Sequence, residues 1–259
     1  MSNRQPSGPP PPPVVQRVRI RYAKRGRLRF ASHRDLARAL ERAIRRAGVP
    51  IAFSAGFTPH PKISYVGAAP TGTASEAEYL EIGLSRTVDV DWLRAALDDA
   101  LPEGLDVVEA VEARTSGFAD RMTGSVWEID LPGADPTEVQ AAVAAFRAAA
   151  EVPVERVTKN GRRQLDARGA VVGIDVRVVP DTPTGGGRAI LEVVVRQEIP
   201  AVRPDDVFAA LRALTGFVPP QPPRSVRVAQ GPMTGGSPAS VGDPLDPDRT
   251  ASPVATPGG

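Results

Sequence analysis

The sequence predicts an α+β fold built as two tandem ferredoxin-like (split βαβ) halves with disordered N- and C-terminal tails. Three observations predict it. Short segments with two-residue apolar alternation are interleaved with segments whose apolar residues recur at three and four. The order strand, helix, strand, strand, helix, strand runs over 14–115 and returns over 116–230. Both ends lack an apolar period: residues 1–13 contain the run Pro9 to Pro13, and 231–259 are mostly Gly, Pro, Ser, Thr and Asp. Such ends bury too little surface to offset the entropy of ordering them.

The elements follow in order. Val14 to Tyr22 alternates Val18, Ile20 and Tyr22 with Arg17, Arg19 and Arg21, which reads as a half-buried strand. Arg27 to Phe30 is expected to continue the sheet. Ser32 has the character of an N-cap, with Asp35 three residues on as its acidic partner. The helix from His33 to Ala47 places Leu36, Leu40, Ala43, Ile44 and Ala47 on one face. Its other face carries Arg34, Arg38, Arg42 and Arg45, and Gly48 and Pro50 stop it. Ile51 to Phe53 is expected as a short strand. Ser54 to Ser64 is a loop, because Pro59 and Pro61 push their predecessors out of helical geometry, and Ile63 to Ala69 is expected to be extended. Glu78 to Leu84 is a strand, and Asp89 to Leu101 a helix with Trp92, Leu93, Ala96, Leu97 and Leu101 inward. Leu105 to Val111 completes the first half.

In the second half strands are expected at 125–131, 152–158, 171–179, 190–196 and 225–230. Helices are expected at 136–150 and 205–214. A turn at Gly185 to Gly187 precedes the fourth of these strands, and Gly161-Arg162-Arg163 reads as a basic hairpin tip.

The chain has 259 residues and no cysteine, which excludes disulfides, thiolate zinc and cysteine-ligated iron–sulfur clusters within it. No apolar run approaches ~18 residues and no secretory signal opens the chain, so a cytoplasmic protein without membrane association is expected. The net charge of +2 is unevenly placed: between Arg17 and Arg46, twelve Lys or Arg stand against Asp35 and Glu41. A cluster of this kind attracts phosphate-rich partners.

Both histidines fall in this region. His33 opens the first helix beside Asp35, and His60 sits between two prolines in a loop that presents it. Phe57 and Tyr65 flank that histidine with Lys62 between, a combination suited to stacking on unpaired bases and contacting phosphates. Metal binding is not expected, since no short His-x-His spacing and no thiolate occurs. Neither a Gly-x-Ser-x-Gly elbow nor a phosphate-binding glycine loop is present.

The stretch SHRDLARALERAIRRAGVPIAFSAGFTPHPKIS, with YAKRGRLRF before it and GTASEAEYLEI after it, resembles an uncharacterised bacterial family, the radical SAM-linked domain of unknown function. The motif residues are Ser32, His33, Asp35 and Leu36; Arg42, Arg45 and Arg46; Gly56, Phe57, Pro59, His60 and Pro61; and Ser75, Glu78 and Tyr79. The resemblance implies a radical SAM protein as partner. It also implies that the iron–sulfur cluster and SAM reside on that partner, with no cofactor in this chain.

The leading expectation is an accessory protein, more plausibly non-catalytic. It would bind RNA or another phosphate-bearing substrate through His33, Arg34, Asp35, Arg38, Arg42, Phe57, His60, Lys62, Tyr65 and Glu78. One alternative is a stand-alone enzyme in which His33, Asp35 and His60 converge in an acid–base or metal site. Another is a structural partner that docks by its first helix. The two histidines are expected at one end of the first sheet.

Overall fold

The computed structural model describes residues 11–158, 161–180, 187–235 and 240–252. The chain forms two compact units, Met1–Ala119 with Leu245–Gly259, and Asp120–Pro244. Each has its own hydrophobic core.

In the first unit, β1 (Gln16–Lys24) leads through a 3-10 turn (Gly26–Phe30) into α1 (His33–Arg46). Then come β2 (Ile63–Val66), β3 (Ala74–Leu84), α2 (Val90–Ala100) and β4 (Leu105–Glu112). β1 lies between β4 and β3 and is antiparallel to both, and β2 pairs antiparallel with β3. With Ile82 opposite both Val18 and Ile63, β1 and β2 run parallel on either side of β3. The core lies on the face that carries Val18, Ile20, Leu80, Ile82 and Leu84, covered by Leu36, Leu40 and Ile44 of α1 and Leu93 and Leu97 of α2. Each such Leu or Ile contributes about 1.5–3 kcal/mol through burial. Ser32 caps α1 as expected, accepting the Asp35 N–H at 3.2 Å, a cap typically worth about 1 kcal/mol. Gly48 follows the helix with φ +65°, a conformation that costs a glycine nothing.

The second unit has its own run of strands and helices. β5 (Gly124–Leu131) and α3 (Pro136–Ala148) are followed by a hairpin of β6 (Pro153–Thr158) and β7 (Gly161–Asp166) and a short α4 (Ala167–Ala170). Next are β8 (Val171–Pro180), β9 (Gly187–Arg196), α5 (Pro204–Thr215) and β10 (Arg224–Gly231). β10 pairs with β5, β5 with β9 and β9 with β8, all antiparallel. Trp127, Ile129, Leu131, Leu191, Val193 and Val195 pack against Val139, Val143 and Phe146 of α3 and Val207 and Leu211 of α5. The Arg147 Nε donates to the Ile174 carbonyl at 2.9 Å, fastening α3 to β8. In the hairpin, Arg162 and Arg163 are exposed; of the glycine turn, residues 185 and 186 lie outside the described residues.

Four expectations need correction. Arg27 to Phe30 forms the 3-10 turn and adds nothing to the sheet. Ile51 and Phe53 make only single bridges, to Leu84 and Pro61; the strand that returns beside β3 is Ile63–Val66, after the loop. Trp92 is 44% exposed, because the buried stripe of α2 is the narrower Leu93, Leu97 and Ala100. The segment from 231 onward is not a bare tail. β11 (Met233–Thr234) pairs with β12 (Ser240–Val241), and α6 (Asp246–Thr250) returns the chain to the first unit. Its anchors are a buried leucine, Leu245, and a buried carboxylate, Asp248, which binds Arg19. A polar anchor of this kind leaves no apolar period to read. Residues 1–10 and 253–259 lie outside the described residues.

Candidate functional site

The basic cluster divides into two populations. Arg17, Arg19, Arg21, Lys24 and Arg25 are engaged within the unit. Arg17 pairs with Glu81 at 3.0 Å, and Arg19 with Glu81 at 3.0 Å and with Asp248. The Arg21 Nε donates to the Glu76 carbonyl at 2.9 Å, and Arg25 pairs with Glu76 and, at 2.7 Å, with Asp106. Those carboxylates hold the Arg25 guanidinium well above its ordinary value, its hydrogen bonds to Glu76 being the largest cause. The arginines of α1 differ. Arg34, Arg38, Arg42 and Arg45 are exposed, and none has an ion-pair partner among the described residues. They form one stripe, since residues three and four apart stack along a helix face.

The loop after α1 is a tight hairpin. The Ser54 N–H donates to the His60 carbonyl at 2.8 Å, the His60 N–H to the Ser54 Oγ at 3.0 Å, and the Lys62 N–H to the Ala52 carbonyl at 2.8 Å. Gly56 turns the tip with φ +133°, a conformation that only glycine adopts without strain. Phe57 stands 72% exposed beside it, and His60 and Lys62 are also exposed. The loop joins the sheet where α1 ends: the Ser85 N–H donates to the Pro50 carbonyl at 2.8 Å, and Ile51 bridges Leu84. The C-terminal end of the arginine stripe and the exposed loop therefore share one end of the unit.

His33 lies at the other end. Its ring meets the edge of Tyr65, centroids 4.9 Å apart and planes at 74°. Asp35 is held below the usual carboxylate range, chiefly by the Ser32 hydroxyl, which donates to it at 2.6 Å, with Arg38 and Arg34 adding to the effect. Burial, followed by the charge of Glu41, raises the Tyr65 phenol, whose oxygen is buried without a partner. The expected meeting of the two histidines does not occur. The parallel partner of β1 begins after the loop, so the loop enters at the N-terminal end of β2 while α1 starts at the C-terminal end of β1. His60 lies ahead of β2, whereas the Tyr65 that His33 touches lies toward its far end. His33, Asp35 and His60 thus share no site. Among the described residues no group of three or more His, Asp or Glu is placed to hold a metal.

Glu78 is not presented to solvent. It is 1% exposed, and its Oε2 accepts the Ala69 N–H at 3.2 Å. Lys24, also 1% exposed, directs its Nζ to the carbonyls of Ala69 at 3.4 Å and Pro70 at 3.3 Å. Two buried charges thus converge on one segment. Simple counting of Lys24 among the surface cations misses it. The signal was its spacing: Lys24 follows Val18, Ile20 and Tyr22 on the inward face. Arg19 and Asp248 form a second buried pair, and only Arg19 carried any expectation.

Among solved structures, similarity is found to an unknown protein from Galdieria sulphuraria at 12% identity and TM-score 0.23, covering 82% of this chain and 98% of that one. DyPB from Rhodococcus jostii RHA1 is 12% identical with TM-score 0.21, covering 79% of this chain and 85% of that one. The encapsulated DyP-type peroxidase from Mycobacterium smegmatis is 10% identical with TM-score 0.20, covering 86% and 94%. TM-scores this low carry no inference for this chain. No curated protein matches it. Residues 17–204, which contain the arginine stripe, the loop and both buried charges of β1, match a family described as an uncharacterized protein conserved in bacteria (DUF2344), and the chain belongs to that family.

Proposed function

We propose that the protein is a non-catalytic accessory subunit that binds RNA, or another phosphate-bearing substrate, along the α1 stripe and the Phe57–His60 loop. The observation that carries this reading is the division of the arginines. Those of β1 are spent inside the unit, whereas Arg34, Arg38, Arg42 and Arg45 face solvent with no carboxylate partner among the described residues. A helix face that keeps four guanidinium groups available is suited to backbone phosphates, and an exposed Phe57 at the end of the stripe offers a stacking platform for an unpaired base. His60 and Lys62 add donors there. His33, Asp35 and Tyr65 lie at the Arg34 end of the stripe, away from the loop, and the reading does not depend on them. The strand order of each unit supports a reading as two ferredoxin-like halves, a fold compatible with many functions. Among the described residues no helix is long and apolar enough to cross a membrane, which accords with a cytoplasmic role. The resemblance of the SHRDL and GFTPHP segments to the radical SAM-linked family motivates the remainder of the proposal: the bound substrate is handed to a radical SAM partner, which holds the cluster and SAM.

The test is the salt dependence of RNA binding, read by fluorescence anisotropy. Four phosphate contacts to a single strand give a slope of log K against log salt of about −2.8, so affinity should fall roughly fifty-fold between 50 and 200 mM salt. Replacing Arg38 and Arg42 by Ala should halve that slope while leaving the melting temperature unchanged. Binding that ignores salt, or an Arg38→Ala/Arg42→Ala variant that binds like the parent, would remove the stripe from the interface.

A further inference from the structure

Asp248 is held as a ligand would be. Its Oδ1 accepts the Arg114 N–H at 2.9 Å, the Thr115 N–H at 2.9 Å and the Thr115 hydroxyl at 2.7 Å, and its Oδ2 accepts from the Arg19 guanidinium. Two successive backbone N–H groups aimed at one oxygen, completed by a hydroxyl and an arginine, form an anion-binding concavity. We infer that this cradle is a phosphoryl-binding site and that the chain's own C-terminal segment, through Asp248, occupies it as an internal ligand.

Three further observations support the assignment. Arg19, Thr115 and Gly117 also line a groove of about 510 Å³, with Arg17, Ser64 and Glu81 as neighbours, a volume in the range of small-ligand pockets. Asp248 itself lies outside the lining of this groove, which adjoins the cradle through Arg19, Arg114 and Thr115 and leaves room for whatever a phosphoryl group is attached to. Charge permits an anion: with the segment displaced, the cations Arg17, Arg19 and Arg114 balance Glu81, Glu112 and the Glu109 that Arg249 leaves behind. The segment is also held mainly by polar groups. From Leu245 to Ser252 only Leu245 and Asp248 are buried, while Arg114 Nη1 donates to the Ala251 carbonyl at 3.0 Å and Arg249 pairs with Glu109. Displacing it exposes little apolar surface. An arginine fork donates to the oxygens of a phosphoryl group in the same way as it donates to a carboxylate. A tethered carboxylate acts at an effective concentration on the order of mM, so the free cradle must bind the phosphoryl group well below that level for exchange to occur. This site is separate from the α1 stripe, and its test is independent of RNA binding.

The experiment uses the full chain with phenyl phosphate, inorganic phosphate and acetate at matched ionic strength. In calorimetric titration, Asp248→Ala should bind phenyl phosphate at least tenfold more tightly than the parent, and more tightly than it binds acetate. In the unmodified protein, phenyl phosphate should accelerate tryptic cleavage after Arg249, as the segment is released. If Asp248→Ala does not fold, Asp248→Asn, which keeps an acceptor for the two N–H groups, serves the same titration. Equal binding of acetate and phenyl phosphate would overturn the phosphoryl assignment. The absence of both tighter binding in the variant and faster cleavage in the parent would overturn the site.

Discussion

Replacing Arg19 by Met tests whether the C-terminal segment is part of the first unit's stability. Arg19 is buried and donates to the Glu81 carboxylate at 3.0 Å, to Asp248, and to the Thr115 hydroxyl and carbonyl at 3.2 and 2.5 Å; its guanidinium also lies 4.6 Å from the Phe118 ring centroid. Methionine keeps much of the apolar stem but leaves Asp248 as a buried carboxylate without its cation. Breaking a buried pair by removing one partner costs about 3–5 kcal/mol. Asp248 retains the N–H groups of Arg114 and Thr115 and the Thr115 hydroxyl, and Glu81 retains Arg17, so the lower end, about 3 kcal/mol, is expected. For a unit of this size that corresponds to a fall in Tm of roughly 10 °C. The chain's two tryptophans, Trp92 and Trp127, fall one in each unit, so melting followed by fluorescence in a Trp127→Phe background reports the first unit through Trp92. An Arg19→Met protein that melts within 2 °C of its background would refute the reasoning and return 245–252 to the status of a dispensable tail.

Ser32→Ala should let the Asp35 carboxyl rise toward the ordinary range, observable by carbon NMR titration, because the Ser32 hydroxyl is the main cause of its depression. A folded-state pKa held below the unfolded one stabilises above the ordinary carboxylate pKa and is lost as pH falls through the folded value, so the variant should lose less stability on acidification. Tyr65 has the opposite sense: burial raises its phenol, so above the ordinary tyrosine pKa the unfolded chain ionises first and stability falls as pH rises. Absorbance at 295 nm should show that Tyr65→Phe loses a late-ionising tyrosine relative to the parent. Because the Tyr65 oxygen is buried without a partner, Tyr65→Phe should also melt at or above the parent temperature; a fall of several degrees would mean that the hydroxyl is satisfied. Gly56→Ala should weaken RNA binding by straining the loop tip at φ +133° while leaving global melting within a few degrees, and unchanged binding would detach Phe57 from the interface.

Much of this architecture was legible because burial follows period. Val18, Ile20 and Tyr22 alternate and are buried; Leu36, Leu40, Ala43 and Ile44 step around a helix and are buried; the Ser32 cap and Gly48 stop lie where their chemistry places them. The elements that escaped reading are those decided by distant partners. Ile51–Phe53 is as apolar as Ile63–Val66 and both read as extended, but only pairing with Tyr79–Ile82 makes Ile63–Val66 the strand that returns beside β3. That single choice moved the loop from one end of the unit to the other and separated His33 from His60. The α1 stripe was visible as charge, but which arginines are spent was not, since it depends on Glu76, Glu81, Asp106 and Asp248, all far along the chain. Lys24 and Asp248 are charges in the interior, and a pattern that equates charge with solvent assigns both to the surface.

The return of α6 to the first unit makes that unit discontinuous, and this imposes an order on its birth. Arg19 and its Asp248 partner are separated by 229 positions. At ribosomal speeds of 5–20 residues per second, roughly 10–50 s pass between the synthesis of one and the other. Throughout that interval the sheet of the first unit exists, or tries to, with a guanidinium at its centre that lacks its last carboxylate. The second unit is contiguous in sequence but ends at Pro244, four positions before Asp248, so both units receive their last residues within about a second of each other. A nascent chain should therefore become resistant to protease late and in both units together, the first being secured only when the ribosome has delivered residue 248.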